Sequence, residues 1–422
     1  MKYFIQTYGC QMNKSDSERI AGILDNLGHK KTLSENKADL IILNTCVVRQ
    51  SAEDRIYGKL KNLQLLKKKN PKLQIAVTGC MAKIYPKKLF GKTDLIFSIE
   101  DLPKLPLLLK NTYLKKNKED YLHIPPAYDS KFHAYIPVMT GCNNFCSYCV
   151  VPYARGKERS RPVEEIIKEI TELINKDYKA ITLIGQNVNS YGQDLDKKIN
   201  FAQLLRKIND LPGNFWLWFV TSHPKDMSDE LIDTLAEAEK IGHYLHLPVQ
   251  AGNNQVLRAM NRGYTREYYI NLIKKIRKKI PDLVLSTDII VGFPGETKKQ
   301  FQETVNLFKK IKFDMAYIAR YSPRPKTAAY KLKDNLSPSE KKRRERILTE
   351  ILKKTALENN KKLIGKRVEI LVEKSNSKWG IGKTKTFKTV KFKNSKNLLG
   401  KIIKVKITQA MPWGLKGERQ KE

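Results

Sequence analysis

The chain has 422 residues, a length that points to about two to four domains. Apolar residues make up 41%, enough for real cores, yet no apolar run approaches a membrane span, and the start Met1-Lys2-Tyr3-Phe4-Ile5-Gln6 does not read as a signal peptide. The formal charge is +37, from 80 Lys and Arg against 43 Asp and Glu, so a polyanion such as nucleic acid is the expected partner unless a lysine-rich genome accounts for the excess.

Six cysteines without a signal do not read as a disulfide framework. A reducing cytoplasm suits them as thiolates, and the cytoplasm is the expected location. Residues 1–102 repeat one pattern. Strand-like Lys2–Thr7 runs into Tyr8-Gly9-Cys10. The apolar run Leu40–Leu43, in a strand from Asp39, ends in Asn44-Thr45-Cys46. Gln74–Val77 ends in Thr78-Gly79-Cys80. The cysteines are 36 and 34 residues apart, the length of one strand–helix unit. Helical periodicity fills the gaps at Asp16–Leu27 and Ala52–Lys69, and a fourth strand is expected at Asp94–Ile99. Strands joined by helices run parallel, and ligands bind at their carboxyl edge. Cys10, Cys46 and Cys80 are therefore expected to converge, either as ligands of a [4Fe–4S] cluster or as three core cysteines.

Residues 103–133, with Pro103, Pro106, Pro125 and Pro126 and a charged run at Leu114–Asp120, read as a linker. From 134 to 335 six strands are expected: Tyr135–Thr140, Ala180–Ile184, Trp216–Thr221, Tyr244–Leu247, Val284–Ile290 and Met315–Arg320. Helices such as Val163–Asn175 separate them. Six such units make a partial barrel rather than a closed eightfold one, with chemistry at the carboxyl ends of the strands.

The loop after the first of these strands carries Cys142, Cys146 and Cys149, with Tyr148 before the last. Three thiolates on one short loop can hold three irons of a cube and leave the fourth open. A zinc knuckle would want a fourth ligand, and no Cys or His follows nearby. Other strand ends carry Gln186 and Asn187, Ser222 beside His223, His246, and the turn Gly292-Phe293-Pro294-Gly295-Glu296. Tyr148, Gln186, Asn187, Ser222, Gly292, Gly295 and Glu296 are candidate cofactor contacts; ordinary turns and core polar groups are the alternative. The basic stretch Tyr153–Arg161 includes Arg155 and Arg159, which suit RNA phosphate or a solvated loop.

Ser337-Pro338-Ser339-Glu340 opens a connecting helix to about Lys362. Residues 363–422 hold sixteen Lys and Arg against four Glu, and the aromatics Trp379, Phe387, Phe392 and Trp413 are interleaved with strands at Val368–Glu373, Thr389–Phe392 and Ile402–Thr408. A small basic β-barrel of this kind suits RNA, with Trp379, Lys383 and Lys385 as candidate contacts; a stabilising appendage is the alternative.

The whole resembles the methylthiotransferase family of radical S-adenosylmethionine enzymes. Thr7-Tyr8-Gly9-Cys10-Gln11-Met12-Asn13, Cys149-Val150-Val151-Pro152-Tyr153-Ala154-Arg155-Gly156, Gly185-Gln186-Asn187-Val188-Asn189, Thr221-Ser222-His223-Pro224 and Leu245–Gln250 carry the resemblance. They are similar to the branch acting on dimethylallylated adenosine beside the tRNA anticodon. The resemblance implies a methylthiotransferase domain at 1–102, a radical core at 134–335 and a TRAM-like module at 363–422. It implies two [4Fe–4S] clusters, the radical-generating one on Cys142, Cys146 and Cys149 and an auxiliary one on Cys10, Cys46 and Cys80. It also implies S-adenosyl-L-methionine, an electron donor and a sulfur source, with a monomer expected. Siblings act on threonylcarbamoyladenosine or a ribosomal protein, and a non-catalytic iron–sulfur RNA-binding protein is a further alternative. Two departures stand out: Lys326 where the family commonly has Gly, and Lys383 where Arg is frequent.

Overall fold

The computed structural model describes residues 1–47, 50–110, 120–196, 199–393 and 396–420. Most of the charged run expected as a linker, 114–119, lies outside the described residues.

The first unit is a five-stranded parallel sheet. Its elements are β1 (Lys2–Thr7), α1 (Gln11–Asn26), β2 (Lys30–Lys31), β3 (Leu40–Thr45), α2 (Gln50–Lys69), β4 (Gln74–Gly79), α3 (Cys80–Ile84), α4 (Pro86–Leu89) and β5 (Leu95–Ile96), followed by α5 (Leu105–Lys110). The spatial order is β2-β1-β3-β4-β5. Every residue of β3 is buried, as a strand covered on both faces requires. The sequence pattern does not resolve β2, a lysine pair at the sheet edge. The fourth expected strand is also shorter than its apolar run. The chain leaves the sheet near Phe97, where Ser98 Oγ donates to Asp101 Oδ2 at 2.7 Å and a helical turn begins.

The second unit contains β6 (His133–Pro137), β7 (Met139–Thr140), α6 (Val151–Arg155), β8 (Arg159–Ser160), α7 (Val163–Asn175), β9 (Ala180–Ile184), α8 (Phe201–Asn209), β10 (Trp216–Phe219), α9 (Asp229–Glu237), β11 (Tyr244–His246), α10 (Asn254–Ala259), α11 (Arg266–Lys279), β12 (Val284–Val291), α12 (Lys298–Ile311) and β13 (Met315–Arg320). Two parallel sheets, β6-β9-β10 and β11-β12-β13, meet at a single bridge between Leu217 and Ile241. They form the expected partial barrel, with β6 and β13 at its edges. The first expected strand, Tyr135–Thr140, is split. β6 ends at Pro137, which has no N–H for the ladder, and β7 turns away to pair antiparallel with β8.

The long α13 (Pro338–Lys361) starts where the capping pattern places it, with Ser337 accepting the Glu340 N–H. It packs along β13 and α12. Beyond it, β14 (Arg367–Ser375), β15 (Trp379–Thr384), β16 (Thr389–Lys393), β17 (Ile402–Met411) and β18 (Gly414–Arg419) close a barrel in the order β14-β15-β16-β18-β17. The sequence suggests three of these strands. β15 and β18 are glycine-rich and are not among them, but the ring of Phe392 covers Gly380, where a Cβ would stand 2.3 Å from it.

The units share one interior. Met12, Ile20 and Leu24 of α1 lie in the same core as Trp216, Trp218 and Tyr244 of the partial barrel and Leu371 of the small barrel. The turn between β15 and β16 plugs the amino-terminal end of the partial barrel. Phe387 stacks on Tyr244 with centroids 4.5 Å apart, and Trp218 Nε1 donates to the Lys385 carbonyl at 2.7 Å. Lys388 pairs with Asp314, just before β13, at 2.8 Å.

Lys326 has a φ of 69°, the left-handed region that suits glycine. This accounts physically for the glycine common at that position in the resembled family. The strain costs on the order of 1 kcal/mol. Lys326→Gly is expected to stabilise the chain by about that amount, read as a higher denaturant midpoint; an unchanged or lower midpoint would refute the strain.

Candidate active site: two cysteine triads

The β7–β8 pair clamps the loop carrying Cys142, Cys146 and Cys149. Gln186 Oε1 accepts the Gly141 N–H at 2.7 Å, and Asn261 Nδ2 donates to the Phe145 carbonyl at 3.1 Å. Glu158 and Asn143 exchange hydrogen bonds between side chains and backbone at 3.2 and 3.1 Å across the loop. Arg262 reaches the sulfur itself: Nη1 donates to Cys146 Sγ at 3.3 Å and Nη2 to the Pro248 carbonyl at 2.8 Å. Burial, reinforced by the neighbouring Cys146 sulfur, pushes the Cys149 thiol up to about 12. Three thiolates in this place need a compensating positive charge, which bound metal supplies.

The second triad assembles from three strand ends. In the ladders, Thr7 pairs with Asn44 and Thr45 with Gly79, so the chains carrying Cys10, Cys46 and Cys80 leave the sheet side by side. Gly9 has a φ of 141° and Gly79 one of 85°. A Cβ on Gly9 would stand 2.9 Å from the Cys46 Cβ, and one on Gly79 would stand 2.4 Å from the Thr45 carbonyl oxygen. The approach of the three loops therefore needs glycine before two of the cysteines. Asn13 and Asn44 knit the strand ends: Asn13 Nδ2 donates to Asn44 Oδ1 at 3.0 Å, and Asn44 Nδ2 returns to the Asn13 carbonyl at 2.8 Å. Cys10 Sγ lies 3.4 Å from Asn13 Oδ1. Among the described residues no three His, Cys, Asp or Glu side chains are placed to share one metal ion. A [4Fe–4S] cube sets a different demand, since its three thiolates bind three different irons.

The helices that carry the chain away from the two triads pack together. α3 begins at Cys80 and α6 follows Cys149, with Cys80, Met81, Val150 and Ala154 in one core. Two buried ion pairs fasten the contact. Arg155 Nη2 meets Asp16 Oδ2 at 2.6 Å, with side chains 3% and 1% exposed. Arg324, beyond β13, pairs with Glu53 of α2, at 3% and 4%.

A cavity of about 860 Å³ opens beside the first triad; Tyr148, Cys149, Gln250, Asp288, Tyr317 and Trp413 are among its walls. At the ends of β9 and β10, Asn187 Oδ1, Asn189 Oδ1, Ser222 Oγ and His223 Nε2 are buried without a protein partner. Burial lowers the His223 pKa to about 2, so the ring is neutral. Its Nδ1 accepts the Lys225 N–H at 3.3 Å, which leaves the proton on the unpartnered Nε2. Orphaned buried donors and acceptors of this density suit a polar ligand.

The candidates read from sequence are therefore divided. Tyr148 lines the cavity, Gln186 braces the cysteine loop, and Asn187 and Ser222 each hold a buried polar atom without a protein partner. Gly292, Gly295 and Glu296 form a closed turn instead. The Glu296 carboxylate accepts the Gly292 N–H at 2.8 Å and pairs with the buried Arg344 at 2.7 Å, while the Gly295 N–H is taken by Asn335 at 3.0 Å. Gln250, Arg262 and Asp288 belong to the site without having been singled out. Gln250 closes the quoted run after β11 and was the most legible; nothing near Arg262 in sequence points to Cys146.

The RNA candidates also need correction. Arg155 is sealed in its pair with Asp16, because a guanidinium that deep must be matched. Lys385 Nζ is held by the Glu239 carbonyl and Lys383 Nζ by Thr389 Oγ1 at 2.8 Å, both in or beside the turn that plugs the barrel. Arg159 is half exposed and pairs with Asp120 at 2.8 Å. Trp379 lies on the small barrel beneath Lys391, with 5.5 Å from Nζ to the ring.

Comparison with known proteins matches the radical SAM superfamily over residues 136–308, the uncharacterized protein family UPF0004 over 2–98 and the TRAM domain over 361–419. The chain is 44% identical over 433 residues to the tRNA-2-methylthio-N(6)-dimethylallyladenosine synthase of Thermoanaerobacter sp. (strain X514), covering 99% of this chain and 92% of that one. The enzyme of the same name from Carboxydothermus hydrogenoformans is 45% identical over 432 residues, covering 98% of each. The chain belongs to the tRNA-2-methylthio-N(6)-dimethylallyladenosine synthase family. Among solved structures, the radical S-adenosylmethionine methyltransferase TsrM from Kitasatospora setae aligns with a TM-score of 0.55 at 14% identity, over 78% of this chain and 75% of that one, a likeness of fold. The similarity to the synthases runs through both triads and the interface between them.

The Arg324–Glu53 pair supports that interface. Glu53→Gln leaves a buried guanidinium without its counter-charge and is expected to cost about 3–5 kcal/mol, read by chemical denaturation. A loss well under 1 kcal/mol would mean that water replaces the carboxylate.

Proposed function

We propose that the chain transfers a methylthio group to C2 of N6-dimethylallyladenosine in tRNA. The observation that carries this reading is the similarity of the chain, from end to end, to enzymes named for that product, supported by the packing of the helices that follow Cys80 and Cys149. Cys142, Cys146 and Cys149 would hold one [4Fe–4S] cluster, and Cys10, Cys46 and Cys80 the other. When bound, the two clusters and S-adenosyl-L-methionine supply the radical and the sulfur that an unactivated C2–H requires.

The chain's own groups bind and orient. Arg262 steadies the Cys146 thiolate. Gln250 and Asp288 offer hydrogen-bond partners to ribose hydroxyls from the cavity wall. The apolar wall along β13, with Tyr317, gives a flat surface for an adenine ring. An electron donor and a sulfur source complete the system, and the reducing cytoplasm keeps the thiolates available.

Nucleoside mass spectrometry tests the reading. Anaerobically reconstituted protein is incubated with S-adenosyl-L-methionine, reductant and tRNA that carries dimethylallyladenosine without the methylthio group. A methylthio mass gain on that nucleoside is expected, and Cys10→Ala should abolish it. Deoxyadenosine without the gain would move the substrate to a sibling branch, and persistence of the gain in Cys10→Ala would remove the auxiliary-cluster assignment.

A further inference from the structure

Trp413 sits at the tip of the hairpin between β17 and β18, in a turn with Pro412 that is closed by the pair Met411–Gly414. Turns this short favour Gly, Asn or Asp for their backbone, and nothing in that geometry calls for an indole. The ring is 46% exposed. Single exposed apolar residues are ordinary, but this one is held in a fixed place. Asn360, a buried side chain near the end of α13, is committed to the turn. Its Nδ2 donates to the Met411 carbonyl at 2.8 Å and to that of Pro412 at 3.3 Å, while its Oδ1 accepts from Lys388 Nζ at 2.8 Å.

The turn stands at the end of a groove. The cavity that includes Tyr148 and Cys149 is walled by β13 and by one face of α13, with Pro338, Lys341, Glu345, Thr349 and Leu352, and Trp413 is a wall of the same cavity. Those helix residues span about 21 Å, more than one nucleoside needs. Among the described residues no other ring and no side-chain cation stacks on the indole, whereas Trp379 lies beneath Lys391. The module that carries Trp413 holds sixteen Lys and Arg against four Glu, a balance that favours a polyanion. An aromatic face on a basic surface is how single-stranded nucleic acid is held base by base.

We propose that Trp413 stacks on a base of the tRNA loop that flanks the modified adenosine, and so holds the RNA where the groove meets the small barrel. The inference rests on the tRNA reading above.

Fluorescence anisotropy tests it, with a fluorescein-labelled anticodon stem–loop that carries dimethylallyladenosine and the anaerobically reconstituted full-length chain, S-adenosyl-L-methionine being withheld. Trp413→Ala and Trp413→Leu are each expected to weaken binding about 5- to 150-fold, the range of one lost base stack, and Trp413→Phe to keep most of the affinity. Leucine keeps apolar bulk without a ring, so it separates stacking from packing. The slope of log K against log salt should stay at the parent value in all three, because stacking releases no counterions. In turnover, Trp413→Ala should raise the KM for RNA more than it lowers kcat. A loss under fivefold in Trp413→Ala overturns the proposal, as does parent-like binding by Trp413→Leu, or Trp413→Phe as weak as Trp413→Ala. A salt slope flattened by about one would assign the loss to a phosphate contact and overturn it too. If Trp413→Ala does not fold, the contrast between Trp413→Leu and Trp413→Phe decides alone. A parent chain that fails to bind the stem–loop would instead overturn the tRNA reading.

Discussion

A guanidinium out of water has to find a carboxylate, and matches of this kind hold the first sheet onto the partial barrel. Asp16–Arg155 and Glu53–Arg324 are both almost fully buried and join elements far apart in sequence. Pairs like these add little net stability compared with apolar contacts, but losing half of one is costly. Their effect is to penalise other arrangements of the two units. The consequence is geometric: α3 and α6, which begin at or just after a cysteine, can dock in one way. Two cysteine sets that would each be ordinary on a separate domain are thereby brought onto packed helices.

The same need for pairing redistributes the positive charge. The basic C-terminal module looks from its composition like an RNA surface. Yet the turn with Lys383, Lys385 and Lys388 is turned inward, with lysine nitrogens on Thr389, the Glu239 carbonyl and Asp314 and the Phe387 ring on Tyr244. This part of the module closes the barrel. Attraction for a polyanion then belongs to the remaining lysines as a diffuse field, which raises encounter rates and falls with salt.

The repeated architecture was legible because periodicity and strand-end placement are local signals. Cys10, Cys46 and Cys80 could be brought together on paper from the parallel-strand rule, and the ladder registers set the strand ends that precede them side by side. What stayed hidden depends on packing between distant segments. No local pattern distinguishes the buried Arg155 from the half-exposed Arg159 four residues on; Asp16, far away, decides it. Arg262 was invisible for the same reason, since Cys146 lies more than a hundred residues before it. Glu296 misled in the opposite direction. A glycine turn ending in a carboxylate looks like a ligand cradle until Arg344, on a helix beyond the barrel, is seen to take it. β15 and β18 were missed because glycine is a poor strand former in isolation, and only the overlying ring of Phe392 gives Gly380 its reason.

The incomplete barrel has its own logic. Closing a sheet removes its edges, and a closed eightfold barrel can be entered only at its ends. Six strands leave β6 and β13 at the margins, and the other units cover these unequally. α1 packs on β6, and Phe387 fills the base, while the cavity extends along β13 from Tyr148 toward Trp413. A strand of six residues spans about 20 Å, more than a single nucleoside needs. A base swung out of an RNA loop carries its neighbours and backbone with it, and a slot open along a strand admits that connected chain where an end-on funnel would strip it. The missing strands are thus part of how the fold can present a radical site to a macromolecule.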